Sequence, residues 1–253
     1  MRLEYSARTD TGRKRKGNED SFIINDEEGL FVVADGLGGH AAGEVASRLA
    51  VESIEEFVRM TGSDREITWP FEIDDSMPLD ANRLKIALRL ANRKVIKFPE
   101  ERHEYQGMAT TVVSMLFSDS TIYIGHVGDS RAYRVRDGQI TQLTNDHSWV
   151  NEQVVSGVLT SNQARNHPLR NVVTRAVGSR WDLQVDLLTE DAKDGDLYLL
   201  CSDGLSTMLD DDEILQILKA ASTAEAACER LIERANEAGG EDNITAIVIR
   251  CQA

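Results

Sequence analysis

Apolar residues recur along this chain in two rhythms. Short runs, many of them β-branched, read as strands: residues 2–8 and 21–24, the continuous run LFVVA at 30–34, TTVVSMLF at 110–117 and TIYIGHVG at 121–128. RAYRVR (131–136) and QITQLT (139–144) flank Asp137–Gly138 as a hairpin. VVTRAV (172–177), LQVDLLT (183–189), DLYLLC (196–201) and NITAIVIR (243–250) are further predicted strands. Helical spacing governs 42–60, where Val45, Leu49, Ile54 and Val58 recur, and 80–98, with Asp80 placed as its cap. Two more helices are predicted over about 210–220 and 223–238. Residues 61–79, with Trp69, Pro70 and Pro78, carry neither period and read as a surface loop. The polar stretch 147–170 reads as a mobile excursion. Many strands, few βαβ alternations and helices gathered in pairs predict an α+β fold of antiparallel sheets covered by helices.

One place breaks the pattern. LFVVA stops on Asp35, and four glycines (Gly36, Gly38, Gly39 and Gly43) crowd the next eight residues. Asp-Gly occurs four times. Asp137–Gly138 and Asp194–Gly195 are plain turns, whereas Asp35 and Asp203 each stand at the exit of a buried strand. A carboxylate there is costly to desolvate unless it is paired or meets a cation. A turn or cap aspartate is the plainer reading of either one alone. Three more acidic segments lie at strand ends: Asn18-Glu19-Asp20, Gly128-Asp129-Ser130 and Glu241-Asp242-Asn243. Oxygen ligands without a His/Cys cluster suit Mg²⁺, Mn²⁺ or Ca²⁺. No segment has the alternating acids of an EF-hand loop, and no P-loop, Gly-x-Ser-x-Gly or His-Glu-x-x-His is present.

Composition sharpens this. The chain has 253 residues, 43 acidic against 28 basic, for a net charge of −15. Such a surface repels nucleic acid and anionic lipid, so neither is an expected partner. The length suits one sizeable core-bearing domain over residues 1–253. Three cysteines without a Cys-x-x-Cys fit a reducing compartment, and no apolar run approaches the roughly 18–20 residues of a membrane span. The basic start lacks an apolar h-region, so a cytoplasmic protein is expected.

Taken in order, seven segments resemble the metal-dependent PP2C-type serine/threonine protein phosphatases in their bacterial form. They are TDTGRKRKGNEDSF (9–22), VVADGLGGHAAGEVAS (32–47), GMATTVVSMLF (107–117), IGHVGDSRAYRVRDGQITQLTNDHS (124–148), HPLRNVVTRAVG (167–178), LYLLCSDGL (197–205) and GGEDNITAIVI (239–249). The resemblance implies a four-layer α-β-β-α sandwich of two antiparallel sheets, with the site at one end. It also implies hydrolysis of phosphoserine and phosphothreonine in proteins, with a cognate Ser/Thr kinase as partner and the enzyme a monomer. A PP2C-like binding or regulatory module of weak activity is the alternative, and loss of metal carboxylates would mark it.

Residue by residue, the resemblance implies that Asp35 bridges two divalent cations, Mn²⁺ or Mg²⁺, and that the Gly36 carbonyl binds one of them. Asp203 and Asp242 would hold the second, and Glu19 and Asp20 would orient bound waters. Two such ions about 3.5–4 Å apart lower the pKa of a shared water, making a nucleophile for in-line attack on phosphorus. Arg15 corresponds to the family's phosphate-binding arginine, whose fork a lysine could not copy. Asp129 resembles the ligand of a third, weaker ion shared with Asp203. His40 is the candidate general acid for the leaving alkoxide, with loop ordering as its other reading. Residues 147–170 correspond to a flap beside the site. At its end, His167 and Arg170 are expected either to touch substrate or to anchor the segment.

Overall fold

The computed structural model describes residues 1–38, 41–63 and 69–252. One sheet has the order β1 (Arg2–Asp10), β11 (Ile244–Gln252), β10 (Leu197–Cys201), β7 (Arg131–Arg136), β8 (Gln139–Gln142). The other has β2 (Asp20–Asn25), β3 (Leu30–Leu37), β5 (Val112–Ser118), β6 (Thr121–Val127), β9 (Asp186–Asp191), with the short β4 (Ala109–Thr110) paired to the end of β3. All of these pairings are antiparallel.

Two-residue alternation explains why the strands read as continuous apolar runs. Leu30, Val32 and Ala34 of β3 face α1 (Ala41–Ser63) and α2 (Leu79–Lys97) in one core. Phe31 and Val33 point the other way, into a core between the sheets with Tyr198, Leu200, Ile247 and Ile249. On the far side Leu199, Cys201, Ala246 and Val248 meet the helices α6 (Asp211–Ala220) and α7 (Ala224–Glu237). Each central strand is thus buried on both faces, which is unusual for antiparallel sheets with one wet face and requires helices outside both sheets. The result is the expected α-β-β-α sandwich.

Three local expectations need correction. Asp80 does not cap α2: Pro78 holds that position, and Asp80 sits in the first turn, accepting from Arg83 Nη1 at 2.7 Å. Residues 172–177 form no strand. They make only isolated bridges, Val173 to Ser148 and Val177 to Thr110, because their partners belong to two different segments and no ladder can grow. The excursion at 147–170 contains two short capped helices, α3 (Trp149–Val155) and α4 (Ser161–Arg165). Asp203 opens a one-turn helix, α5 (Asp203–Ser206), that the pattern did not foretell.

Candidate metal centre

Strand register begins the site. β2 and β3 pair so that Asp20 stands opposite Asp35. The Asp35 carbonyl accepts from Thr111 N–H and from Thr110 Oγ1, both at 2.8 Å, so the backbone of this acid is tied down where the strand leaves the core. Thr111 Oγ1 lies 2.6 Å from Ser130 Oγ, which links β3 to the turn carrying Asp129. That turn crosses from β6 in one sheet to β7 in the other. From the other sheet come Asp203, just past β10, and Asp242, two residues before β11.

Asn243 binds these pieces together. Its side-chain oxygen accepts from Glu19 N–H at 2.8 Å, and its amide donates to the carbonyls of Thr11 and Gly17, each at 2.9 Å. It holds the loop bearing Arg15 and Glu19 against Asp242. The site also demands glycine. A side chain at Gly36 would collide with the Gly43 and Glu19 carbonyls, and one at Gly204 with the Asn243 carbonyl. A β-carbon at Gly43 would strike the Glu19 carboxylate, which lies against the first turn of α1.

The assembled acids repel one another. Burial pushes Asp35 well above the usual carboxylate range, and the charges of Asp20, Asp203, Asp129 and Asp242 add to the effect. Asp129 is raised likewise by burial and then by Asp203 and Asp146. Asp203 is raised by burial and by Asp242, and its carboxyl reaches hydrogen-bonding range of Asp35. Burial lifts Asp20 to about 7, against the opposing bonds from Thr245 and Ser202. Those hydroxyls donate to Oδ2 at 2.6 and 2.7 Å, while Asp20 Oδ1 is buried with no hydrogen-bond partner.

This donor set fits divalent cations. It is all oxygen, it contains an orphaned buried oxygen, and its like charges are offset by little positive charge. Arg131 is engaged with Asp146, at 2.7 Å to Oδ2. Arg15 Nη2 donates to Asp242 Oδ2 at 2.6 Å, so one guanidinium faces an excess of carboxylates. A cleft of about 600 Å³ opens beside the cluster, lined by Asp129, Asp203, Arg131, Ser148, Arg165 and Arg170 among others. A smaller one of about 100 Å³ joins Arg15, Arg170, Asp203 and Asp242.

Of the predicted site residues, Glu19, Asp20, Asp35, Gly36, Asp129, Asp203, Asp242 and Arg15 converge here. His40 lies outside the described residues. His167 packs against Trp149 within the flap, centroids 5.0 Å apart and planes 32° off parallel, whereas Arg170 lines both clefts. Sequence reasoning missed the roles of Asn243, Ser202, Thr245 and Thr111. Each is a small polar residue within a quoted motif, and only the bonds it makes distinguish it from a strand filler.

Comparison with known proteins identifies the family and the fold. The chain is 38% identical over 248 residues to the serine/threonine protein phosphatase PstP of Mycobacterium tuberculosis, covering 97% of this chain but 44% of that protein. It therefore spans under half the length of that relative. It is 35% identical to the serine/threonine phosphatase stp of Listeria monocytogenes, over 98% of this chain and 95% of that one. A crystal structure of the PstP catalytic domain in complex with two manganese ions superposes with a TM-score of 0.84 at 34% identity, covering 99% of both chains. Residues 12–247 match the model of the protein phosphatase 2C family. With sequence, fold and strand-end acids in agreement, this chain belongs to the protein phosphatase 2C family.

Proposed function

We propose that this chain, read as one domain over residues 1–253, hydrolyses phosphoserine and phosphothreonine esters of proteins with two divalent cations, Mn²⁺ or Mg²⁺. The observation that carries the reading is the convergence of buried, mutually repelling carboxyls from both sheets on one cleft with an arginine at its rim. The two manganese ions of the related catalytic domain support the same cofactors. Asp35 and the Gly36 carbonyl would hold one ion, and Asp35, Asp203 and Asp242 the other. Asp129 with Asp203 would hold a third, weaker one. When bound, such ions supply an activated water and neutralise charge on the transferring phosphoryl group.

The chain's own groups do the rest. Glu19 and Asp20 orient water at the edge of the cluster. Arg15, held at the rim by Asp242, presents its guanidinium to two phosphate oxygens. The Arg131–Asp146 pair lies in the wall of the larger cleft, which would receive the peptide flanking the phosphoresidue. His40 is the proposed proton donor to the leaving alkoxide. The enzyme acts as a cytoplasmic monomer on substrates of a cognate Ser/Thr kinase. Among the described residues no helix is long and apolar enough to cross a membrane.

The test is turnover of p-nitrophenyl phosphate and a phosphothreonine peptide, with and without Mn²⁺, on wild type and Asp203→Asn. Turnover is expected only with Mn²⁺, and the variant should lose about a hundredfold or more in kcat/KM. Metal-independent turnover, or an unimpaired variant, contradicts the proposal.

A further inference from the structure

Two buried histidines grip the peptide groups of Gly128, the residue before Asp129. The Gly128 N–H donates to His147 Nδ1 at 2.9 Å. Its carbonyl accepts from His126 Nε2 at 2.9 Å and from the His147 backbone N–H at 2.8 Å. The rings stack with centroids 4.3 Å apart and planes 25° off parallel. His147 Nδ1 accepts, so its single ring proton sits on Nε2, which donates to Asp186 Oδ2 at 3.1 Å. Arg175 Nη1 closes the chain, donating to Asp186 Oδ1 at 2.5 Å.

His126, His147 and Asp186 offer ligand atoms within 4.8 Å of one another, a spacing that could hold a metal ion. Their hydrogen bonds oppose it. An ion on His147 Nε2 would remove the last ring proton, because Gly128 claims Nδ1. The Arg175 guanidinium already supplies positive charge beside Asp186, 3.0 Å from that same nitrogen. The cluster serves a hydrogen-bonded purpose.

That purpose is the Gly128 backbone. Its φ of +114° is open to glycine alone, and an added β-carbon would sit 2.5 Å from Thr111 Cβ. A backbone with this freedom needs outside partners to hold one conformation. The next residue is Asp129, 8% exposed, in the cleft it shares with Asp203. We propose that His147, backed by His126, is a positioning residue for Asp129: it holds the peptide that aims this carboxylate into the cleft. The inference rests on the reading above, in which Asp129 holds the third ion, and names what gives that site its geometry.

Direct Mn²⁺ binding, followed by the electron paramagnetic resonance of the free ion, tests it on wild type, Asp129→Asn, His147→Leu, His147→Asn and the Asp129→Asn/His147→Leu double variant. His147→Leu and Asp129→Asn should each weaken the weakest Mn²⁺ step about tenfold or more and spare the two tighter ones. His147→Asn, whose amide oxygen reaches the place of Nδ1, should stay within about threefold of wild type. The double variant should bind no more weakly than Asp129→Asn. A folded His147→Leu with the wild-type weak step, or a double variant weaker than Asp129→Asn, overturns the positioning role. An unchanged weak step in Asp129→Asn instead removes the ion from Asp129, and the inference falls with it. If His147→Leu does not fold, Asp186→Asn at the exposed end of the chain takes its place. It should weaken the same step about two- to fivefold, and no change there is equally fatal.

Discussion

Asp20 keeps one oxygen bonded to Ser202 and Thr245 and leaves the other buried without a partner, with its pKa lifted to about 7 chiefly by burial. In metal-free protein the folded state therefore holds this proton from about pH 4 to 7, where the unfolded chain has released it. The stability tied to that proton is present at low pH and lost as pH rises through 7. Asp20→Asn removes the titration and keeps an acceptor for both hydroxyls. In EDTA its gain over wild type in urea unfolding should be larger at pH 8 than at pH 5, by on the order of 3 kcal/mol. Equal gains at both pH values would show that burial does not hold the proton there. Arg15 is a second residue-scale case. Arg15→Ala should raise KM for a phosphothreonine peptide about tenfold and leave kcat within about threefold, and Arg15→Lys should recover little of the loss, since one ammonium cannot fork two oxygens. An unchanged KM would take Arg15 out of the phosphate site.

At the level of elements, Gly36 near the end of β3 and Gly43 in the first turn of α1 set how closely the two approach. Gly36 is enclosed by the Gly43 and Glu19 carbonyls, so the obstacle to a side chain is backbone from two elements. Gly43 meets first the end of the Glu19 side chain, which can swing away. Gly36→Ala should therefore cost about 3 kcal/mol or more in urea unfolding and remove activity with it. Gly43→Ala should cost about 1 kcal/mol and show its main effect as weaker Mn²⁺ activation through the displaced Glu19. Equal stability losses in the two would refute this division. The same scale shows where the pattern of the chain misleads. VVTRAV has the composition of a strand, yet Val172 is exposed and the segment meets only single bridging residues. Composition reports what a residue tolerates, and a ladder also needs a neighbour running alongside.

For the molecule as a whole, the carboxyl cluster is a cost that bound cations offset. Loading with Mn²⁺ at about a hundred times its dissociation constant should add about 2.7 kcal/mol per site. A chain of this size should then melt about 5–10 °C higher for each site filled. Calorimetry with Mn²⁺ against EDTA checks this, and Asp203→Asn should lose most of the shift. A wild-type melt indifferent to Mn²⁺ would mean that no ion is held by the fold. Much of this molecule was legible in its sequence. Continuous apolar runs in LFVVA and LYLLC marked the central strands, and the acids at their exits marked the candidate site, because burial and desolvation act on each residue where it stands. The family motifs extended that to the roles proposed for Asp35, Asp203, Asp242 and Arg15. Tertiary structure alone decided that Asp20 would face Asp35 across a strand pair, that Asn243 would fasten the loop from Thr11 to Glu19 beside Asp242, and that His126 and His147 would stack on each other and bond to Gly128. Those contacts join residues far apart in the chain, and a local pattern carries no information about which distant partner satisfies a hydrogen bond.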